Sequence, residues 1–81
     1  MNVRAQIVTQ FEQVARENEK QLAPLEDSLE LLASGLDSLC FAVVVVRLEG
    51  IFGVDPFSTS ETSHFPVTFG QFVEFYEHAT K

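Results

Sequence analysis

Ser38 is the side chain in this sequence that is best placed to carry chemistry. It follows Asp37, a good helix N-cap residue, and opens a proline-free run that continues to Phe52, so we expect it at a helix N-terminus. The backbone N–H groups and the helix dipole at that end favour a negative group, so a phosphodiester built on Ser38 would be stabilised there. Gly35 permits a tight approach or a left-handed turn just before the cap. The purely structural alternative is that Asp37 or Ser38 only caps the helix.

The other reactive side chains do not form a catalytic or metal-binding pattern. The run Gly-Leu-Asp-Ser-Leu superficially resembles the Gly-Asp-Ser-Leu esterases, but those enzymes need an aspartate three residues before the catalytic histidine, and Phe75 stands in that position before His78. The other histidine, His64, lies in a Ser/Thr-rich segment. No Ser–His–Asp triad is therefore expected. Cys40, near a helix N-terminus, could be somewhat reactive, but we interpret it as a packing or surface residue. One cysteine and two scattered histidines make no metal site. These residues therefore predict neither a catalytic triad nor a metal site.

Length and charge restrict the class of protein. The chain of 81 residues predicts one small domain over 1–81, and its 46% hydrophobic content is enough for a packed core. Five basic against 12 acidic residues give a net charge of −7, which disfavours nucleic acid and anionic membranes as partners and favours a basic partner. The single cysteine indicates a reducing compartment, and no segment resembles a signal peptide or a membrane span. We expect a cytoplasmic monomer.

Apolar spacing and capping residues predict the helices that position Ser38. The first helix should run from about residue 3 to about residue 20 and end before Pro24, and the second should run over 38–52 and stop at Gly53. Between them, a long loop over 22–35 should be anchored on the core by its leucines, which are Leu22, Leu25, Leu29 and Leu32.

The C-terminal third of the chain predicts one clear helix and one weak one. Thr68 and Gln71 have capping-box spacing, so a helix should start near Thr68, and Val67 before the cap can staple against Phe72. Its inward face should be formed by Phe69, Phe72, Val73 and Tyr76. Ser58 with Glu61 could start one short turn, near 58–63. The core should also receive the phenylalanines of this region, which are Phe57, Phe65, Phe69, Phe72 and Phe75.

The segment Gly35-Leu36-Asp37-Ser38-Leu39 resembles the phosphopantetheine attachment motif of acyl carrier proteins, and the resemblance extends through Arg47 to Pro56. It implies an all-α, four-helix bundle whose short third helix, near 58–63, shifts to admit or release an acyl chain. It also implies that Ser38 is not a catalytic nucleophile and that the chain has no enzymatic activity of its own. Instead, a phosphopantetheinyl transferase uses coenzyme A and magnesium to attach 4′-phosphopantetheine to Ser38. The terminal thiol of that arm then carries acyl groups as thioesters between acyl-loading, synthase and acyltransferase enzymes.

The resemblance assigns two roles to the residues of the second helix. The core and any acyl-chain cavity would be lined by Phe41, Val44, Val45, Leu48 and Phe52, although a plain core is equally compatible with these residues. Partner enzymes would dock on Leu39, Ala42, Val43, Val46 and Glu49.

The second helix departs from the family's pattern because apolar residues stand where typical fatty-acid carriers have acidic or polar ones; these are Cys40, Phe41, Ala42 and Val43. Docking should therefore be more apolar, with electrostatic steering from the carboxylates of the preceding loop, which are Glu26, Asp27, Glu30 and Asp37. This departure favours a specialised carrier for a dedicated lipid or polyketide pathway over the carrier of primary fatty-acid synthesis.

Two alternatives remain open. Aspartate before the serine is similar to acyl and polyketide carriers, whereas peptidyl carriers commonly have histidine there, so an aminoacyl cargo is the second choice. The alternative from another class is a small helical interaction domain that binds a partner's groove through the outward residues of the second helix and needs no serine.

Overall fold

The computed structural model describes residues 2–54 and 66–80, and these form an all-helical domain. Three α-helices are present in these ranges: α1 over Val3–Glu17, α2 over Ser38–Phe52 and α3 over Phe69–Ala79. A 3₁₀ turn over Leu31–Ala33 lies between α1 and α2. The only β structure in the described ranges is one isolated antiparallel bridge between Glu30 and Thr68. The all-α class is confirmed, and the predicted short helix near 58–63 lies outside the described residues.

Helix α1 starts where the sequence predicts but ends three residues early. The Asn2 side chain caps it by accepting a hydrogen bond of 3.0 Å from the Ala5 N–H. At its other end Glu19 adopts a left-handed conformation, with φ of +55°. The Glu19 N–H then donates to the Arg16 carbonyl and the Lys20 N–H to the Ala15 carbonyl, at 3.3 and 2.8 Å. This is a Schellman motif, so the helix ends at Glu17 and not at residue 20.

Helix α2 has the predicted bounds and the predicted caps. The Asp37 carboxylate accepts from the Cys40 N–H at 2.9 Å. Gly53, with φ of +73°, ends the helix, and its N–H donates to the Glu49 carbonyl at 2.8 Å. The four consecutive valines favour a strand by intrinsic propensity, but the surrounding core holds them in a helix.

Helix α3 begins with the predicted capping box. The Thr68 hydroxyl accepts from the Gln71 N–H at 3.3 Å, and the Gln71 amide oxygen accepts from the Thr68 N–H at 3.2 Å. The predicted inward face is confirmed because its four members are all buried: Phe69, Phe72, Val73 and Tyr76.

Among the described helices, none is long and apolar enough to cross a membrane.

The three helices meet at Phe11, which is fully buried in α1. Its ring makes edge-on contacts with Phe69 and Phe72 of α3, at centroid distances of 5.3 and 5.6 Å, and with Phe41 of α2 at 5.6 Å. Such contacts add stabilisation beyond simple burial because the ring edge meets the negative face of its neighbour. Of the other phenylalanines predicted in the core, Phe75 is half-buried, and Phe57 and Phe65 lie outside the described residues.

The long loop is tied to the core by three of the four leucines expected and by two that were not expected. Three predicted anchors, Leu22, Leu25 and Leu29, pack against the core, but the prediction for Leu32 is wrong, because its side chain is 92% exposed. Its place is taken by Leu31 and Leu36, which are both buried.

The reason lies in the backbone of the 3₁₀ turn. The Leu31 N–H donates to the Val67 carbonyl at 2.8 Å, which fixes the turn against the segment before α3. Successive side chains in a 3₁₀ turn are rotated by about a third of a turn, so when Leu31 points inward Leu32 points away.

Candidate functional site

Ser38 is exposed and is the first residue of α2. The loop that leads to it is fixed from inside by Ser34, which is fully buried. The Ser34 hydroxyl donates to the Leu31 carbonyl at 2.7 Å and accepts from the Leu36 N–H at 3.4 Å. Leu36 is itself buried, so the residues on both sides of Gly35 are anchored while Ser38 faces solvent.

Gly35 allows this loop to pass directly against the backbone of Gln21, shortly after the end of α1. Its φ is +103°, a conformation that residues with a side chain rarely adopt. A Cβ atom at this position would lie 2.1 Å from the Gln21 carbonyl oxygen. The prediction of a tight approach or left-handed turn before the cap is therefore confirmed in both of its forms.

Asp37 gives the site a fixed negative charge. Hydrogen bonding from Cys40, whose N–H lies 2.9 Å from the carboxylate, lowers the pKa of Asp37 below its ordinary value, and the positive charge of Lys20 lowers it further. The Lys20 ammonium lies 3.5 Å from the other carboxylate oxygen. Asp37 is therefore ionised at neutral pH and is held as a cap beside the Ser38 hydroxyl.

Cys40 is part of the hydrophobic core of the domain. It is only 2% exposed, and burial raises the pKa of its thiol above the ordinary value. A thiol that stays protonated and inaccessible is a poor nucleophile. Of the two interpretations, packing residue and surface residue, the first is correct.

An apolar groove of about 1000 Å³ opens beside Ser38. Its floor includes Leu36 and Phe72, which are buried, and Phe41, which is half-buried. Its rim is formed by residues from three segments: Leu32 from the 3₁₀ turn, Ser38, Ala42 and Val46 from α2, and Val67 from before α3.

The faces of α2 differ in detail from the predicted stripes. Its buried line is Cys40, Val44 and Leu48, at a spacing of four residues. The other three residues predicted to face the core are half-buried and pack against it: Phe41, Val45 and Phe52. Leu39, Ala42, Val46 and Glu49 are exposed as predicted. Val43 does not lie fully outward, because it is half-buried and packs against the core.

Arg47 is the only basic residue of α2, and it is turned away from this groove. Its guanidinium forms a bidentate ion pair with the Glu17 carboxylate of α1, with nitrogen–oxygen distances of 2.5 and 3.1 Å. The hydrogen bonds from Arg47 lower the pKa of Glu17. Among the described residues, the charged side chains that line the groove are Glu30 and Asp37, both acidic.

Sequence reasoning missed two exposed apolar residues at the rim of the groove. Val67 is 58% exposed, and Leu32, which the sequence predicts as an anchor of the loop on the core, is 92% exposed. The paired leucines at 31 and 32 carry no signal that distinguishes the inward one, since both are equally apolar.

The site combines three features at the start of α2. It presents an exposed hydroxyl at a helix N-terminus, a fixed carboxylate and an apolar groove. No group of three potential metal ligands occurs in 2–54 and 66–80, and His78 is exposed in the last turn of α3. Comparison of the chain with protein-family models, with curated proteins and with solved structures finds no match in any of the three.

Proposed function

We propose that the protein is an acyl carrier protein whose Ser38 is modified with 4′-phosphopantetheine. The observation that carries the proposal is the position of Ser38: an exposed hydroxyl, first in α2, at the end of a loop that is anchored on both sides of Gly35. A carrier needs its attachment serine accessible to several enzymes in turn, and it needs the surrounding backbone rigid enough for each of them to recognise.

The residues present fit the phosphopantetheine group. The N-terminus of α2 favours a negatively charged phosphodiester at Ser38 through its backbone dipoles, and the helix is 15 residues long. Asp37 satisfies the Cys40 N–H, so the cap does not depend on the Ser38 hydroxyl, which is left for modification. When attached, the group supplies a flexible arm with a terminal thiol that holds acyl groups as thioesters.

This chain's own contribution to the modification is to present the acceptor. In the transferase the Ser38 hydroxyl would lose its proton and form a bond to the phosphorus of coenzyme A that bears the pantetheine, while 3′,5′-ADP leaves. Magnesium and the base would come from the transferase. We therefore propose no enzymatic activity for this chain.

The apolar character of the groove and of α2 favours a specialised carrier. Where typical fatty-acid carriers place acidic residues, the second helix has exposed Ala42 and half-buried Val43. Partners in a lipid or polyketide pathway would dock on an apolar surface with acidic residues only at its edge. The aspartate before the serine is the residue that favours an acyl over an aminoacyl cargo.

A helical interaction domain is the second candidate, because four large apolar side chains are exposed in the described part of the chain: Leu32, Leu39, Val46 and Val67. Such a domain would bind its partner without using Ser38. Ser38→Ala would leave its function intact and would abolish that of a carrier.

The test is the intact mass of the protein after incubation with coenzyme A, magnesium and a broad-specificity phosphopantetheinyl transferase. We expect the wild type to gain one phosphopantetheine and Ser38→Ala to gain none. Ser28→Ala, which removes another exposed serine from the preceding loop, should be modified like the wild type. An unmodified wild type beside a modified reference carrier would overturn the proposal.

A further inference from the structure

One of the few basic side chains of this acidic protein lies beside the residue that precedes Ser38. The three ion pairs in the described part of the chain use Arg4, Lys20 and Arg47. Of these cations, Lys20 is the one that contacts the start of α2, where its ammonium lies 3.5 Å from the Asp37 carboxylate. A phosphodiester on Ser38 would add a negative charge next to that ion pair, in a chain whose net charge is already −7.

We propose that Lys20 is the counter-ion of the group attached to Ser38. Its ammonium would compensate two negative charges on consecutive residues, one on Asp37 and one on the phosphodiester of Ser38. The inference rests on the proposed function and gives a role in it to a residue that lies outside both the attachment motif and α2.

Asp37 cannot relieve the repulsion by giving up its own charge. Its carboxylate accepts from the Cys40 N–H at 2.9 Å and also from the Cys40 thiol, and these hydrogen bonds lower the pKa of Asp37. It must also stay in place, because it caps α2. A phosphodiester on Ser38 therefore meets a permanent like charge on the neighbouring residue, which the helix dipole offsets only in part.

The backbone fixes where Lys20 stands relative to the start of α2. The carbonyl oxygen of the next residue, Gln21, lies so close to Gly35 that a Cβ atom there would be 2.1 Å away. Two residues further along, the Ala23 N–H donates to the Ser34 carbonyl at 2.8 Å. These two contacts hold the chain after α1 against the loop that leads into α2. Lys20 is thus brought to the site by tertiary packing that does not depend on its own ion pair.

The ion pair leaves room for a second anion. The distance of 3.5 Å between Lys20 Nζ and Asp37 Oδ2 exceeds the roughly 2.7–2.9 Å of a charge-assisted hydrogen bond. The two side chains keep 38 and 53% of their surface exposed. An ammonium has three donors on a flexible stem, so Lys20 can approach a phosphodiester on Ser38 without losing Asp37.

The first experiment changes the charge at position 38 by substitution and needs no transferase. Ser38→Glu introduces a carboxylate, and Ser38→Gln introduces a neutral side chain of the same shape. With Lys20 present, we expect the two variants to melt within about 2 °C of each other at low salt. Combined with Lys20→Gln, Ser38→Glu should melt about 2–5 °C below Ser38→Gln, because the adjacent like charges are no longer compensated. This difference should shrink at high salt.

Two further variants identify the cation that is responsible. Lys20→Arg keeps the positive charge and should preserve the wild-type behaviour. Arg4→Gln removes an ion-paired cation from the opposite end of α1 and should leave the difference between Ser38→Glu and Ser38→Gln unchanged. If the pair of Lys20 with Asp37 were only structural, Lys20→Gln would lower the melting temperature equally whatever the charge at position 38. Such equal lowering would overturn the proposal.

The second experiment uses the modified protein. The wild type, Lys20→Gln and Lys20→Arg are incubated with coenzyme A, magnesium and a broad-specificity phosphopantetheinyl transferase, and intact mass confirms that each carries one phosphopantetheine. We expect modification to lower the melting temperature of Lys20→Gln by about 2–5 °C more than that of the wild type at low salt. Lys20→Arg should respond to modification like the wild type.

The outcomes separate this inference from the proposed function. If the wild type is modified and Lys20→Gln responds to modification as the wild type does, the proposed function stands and Lys20 is not the counter-ion. If the wild type is not modified beside a modified reference carrier, the proposed function fails. The role of Lys20 toward phosphopantetheine then fails with it, even where the Ser38→Glu series shows a dependence on Lys20.

Discussion

The α-carbon of Gly35 lies so close to the Gln21 carbonyl oxygen that a Cβ atom on it would be 2.1 Å from that oxygen. This contact joins the chain just after α1 to the segment that carries Ser38. It explains why glycine stands three residues before the serine: the position requires both a left-handed backbone and the absence of a side chain.

Gly35→Ala should therefore destabilise the fold severely. We expect a loss of about 2–4 kcal/mol in the free energy of unfolding, because the new methyl group must displace backbone and the positive φ becomes strained. Gly50→Ala is the matched control, since its Cβ would meet no atom within 4 Å and it lies inside α2. That substitution should stabilise by about 0.5–1 kcal/mol. Urea unfolding monitored by circular dichroism measures both, and similar midpoints for the two variants would contradict the close approach.

The two faces of α2 can be separated by introducing the same charge on each. Val46→Asp should leave the melting temperature within a few degrees of the wild type, because the side chain is already exposed, and should slow modification of Ser38. Leu48→Asp should prevent folding, because Leu48 is fully buried and an unpaired carboxylate would enter the core. Thermal melts and intact-mass kinetics provide the comparison. A large loss of stability in Val46→Asp would mean that the faces are exchanged.

The capping box of α3 should have a measurable effect on stability. Thr68→Ala removes the hydroxyl that accepts from the Gln71 N–H and should cost about 1 kcal/mol in the free energy of unfolding. Thr68→Ser keeps the accepting oxygen and should behave nearly like the wild type. Chemical denaturation of the three proteins tests this, and equal stability of Thr68→Ala and Thr68→Ser would show that the hydroxyl does not cap the helix.

The ion pair between Glu17 and Arg47 should make the stability depend on pH in a defined direction. Hydrogen bonding from Arg47 lowers the pKa of Glu17 in the folded state, so the pair's contribution is fully present above the unfolded pKa of about 4.3. It is lost as the pH falls through the lower, folded pKa. Because the pair is largely exposed, we expect Glu17→Gln to lower the melting temperature by only a few degrees at neutral pH and low salt.

That difference should vanish as Glu17 becomes protonated in the folded wild type. Melting curves of the wild type and Glu17→Gln between pH 7 and pH 2 follow the change. Glu12→Gln is the control, because Glu12 is an exposed carboxylate of α1 that forms no ion pair with any described residue. A difference that grows on acidification would contradict the direction of the pKa shift.

Helix starts could be predicted from local sequence because their determinants are local. Asp37 and Thr68 cap the helices that follow them, through hydrogen bonds that span only three residues, and Gly53 ends α2 with one left-handed residue. Such signals do not depend on the rest of the fold. The end of α1 could not be predicted in the same way, since its left-handed residue is Glu19 and glutamate is not typical of that position.

Burial of individual residues was harder to predict because it depends on distant partners. The sequence offers Leu31 and Leu32 as equals. The hydrogen bond from the Leu31 N–H to the Val67 carbonyl, 36 positions further along the chain, fixes the turn in which Leu31 is buried and Leu32 is exposed. The sequence predicts Val43 on the outward face of α2, whereas in the structure it is half-buried and packs against the core. A helix that is apolar on nearly all sides does not specify which side the neighbours cover.

The sequence by itself determined the all-α class, the starts of the three described helices and the position of Ser38 at the beginning of α2. These follow from spacing and capping, which act over one or two turns of chain. Only the tertiary structure decided that Leu32 and Val67 line the same groove as Ser38, that Cys40 is buried and that Arg47 pairs with Glu17. Each of these three facts joins residues that are remote in sequence or depends on packing between elements, and none of them is encoded in a local pattern.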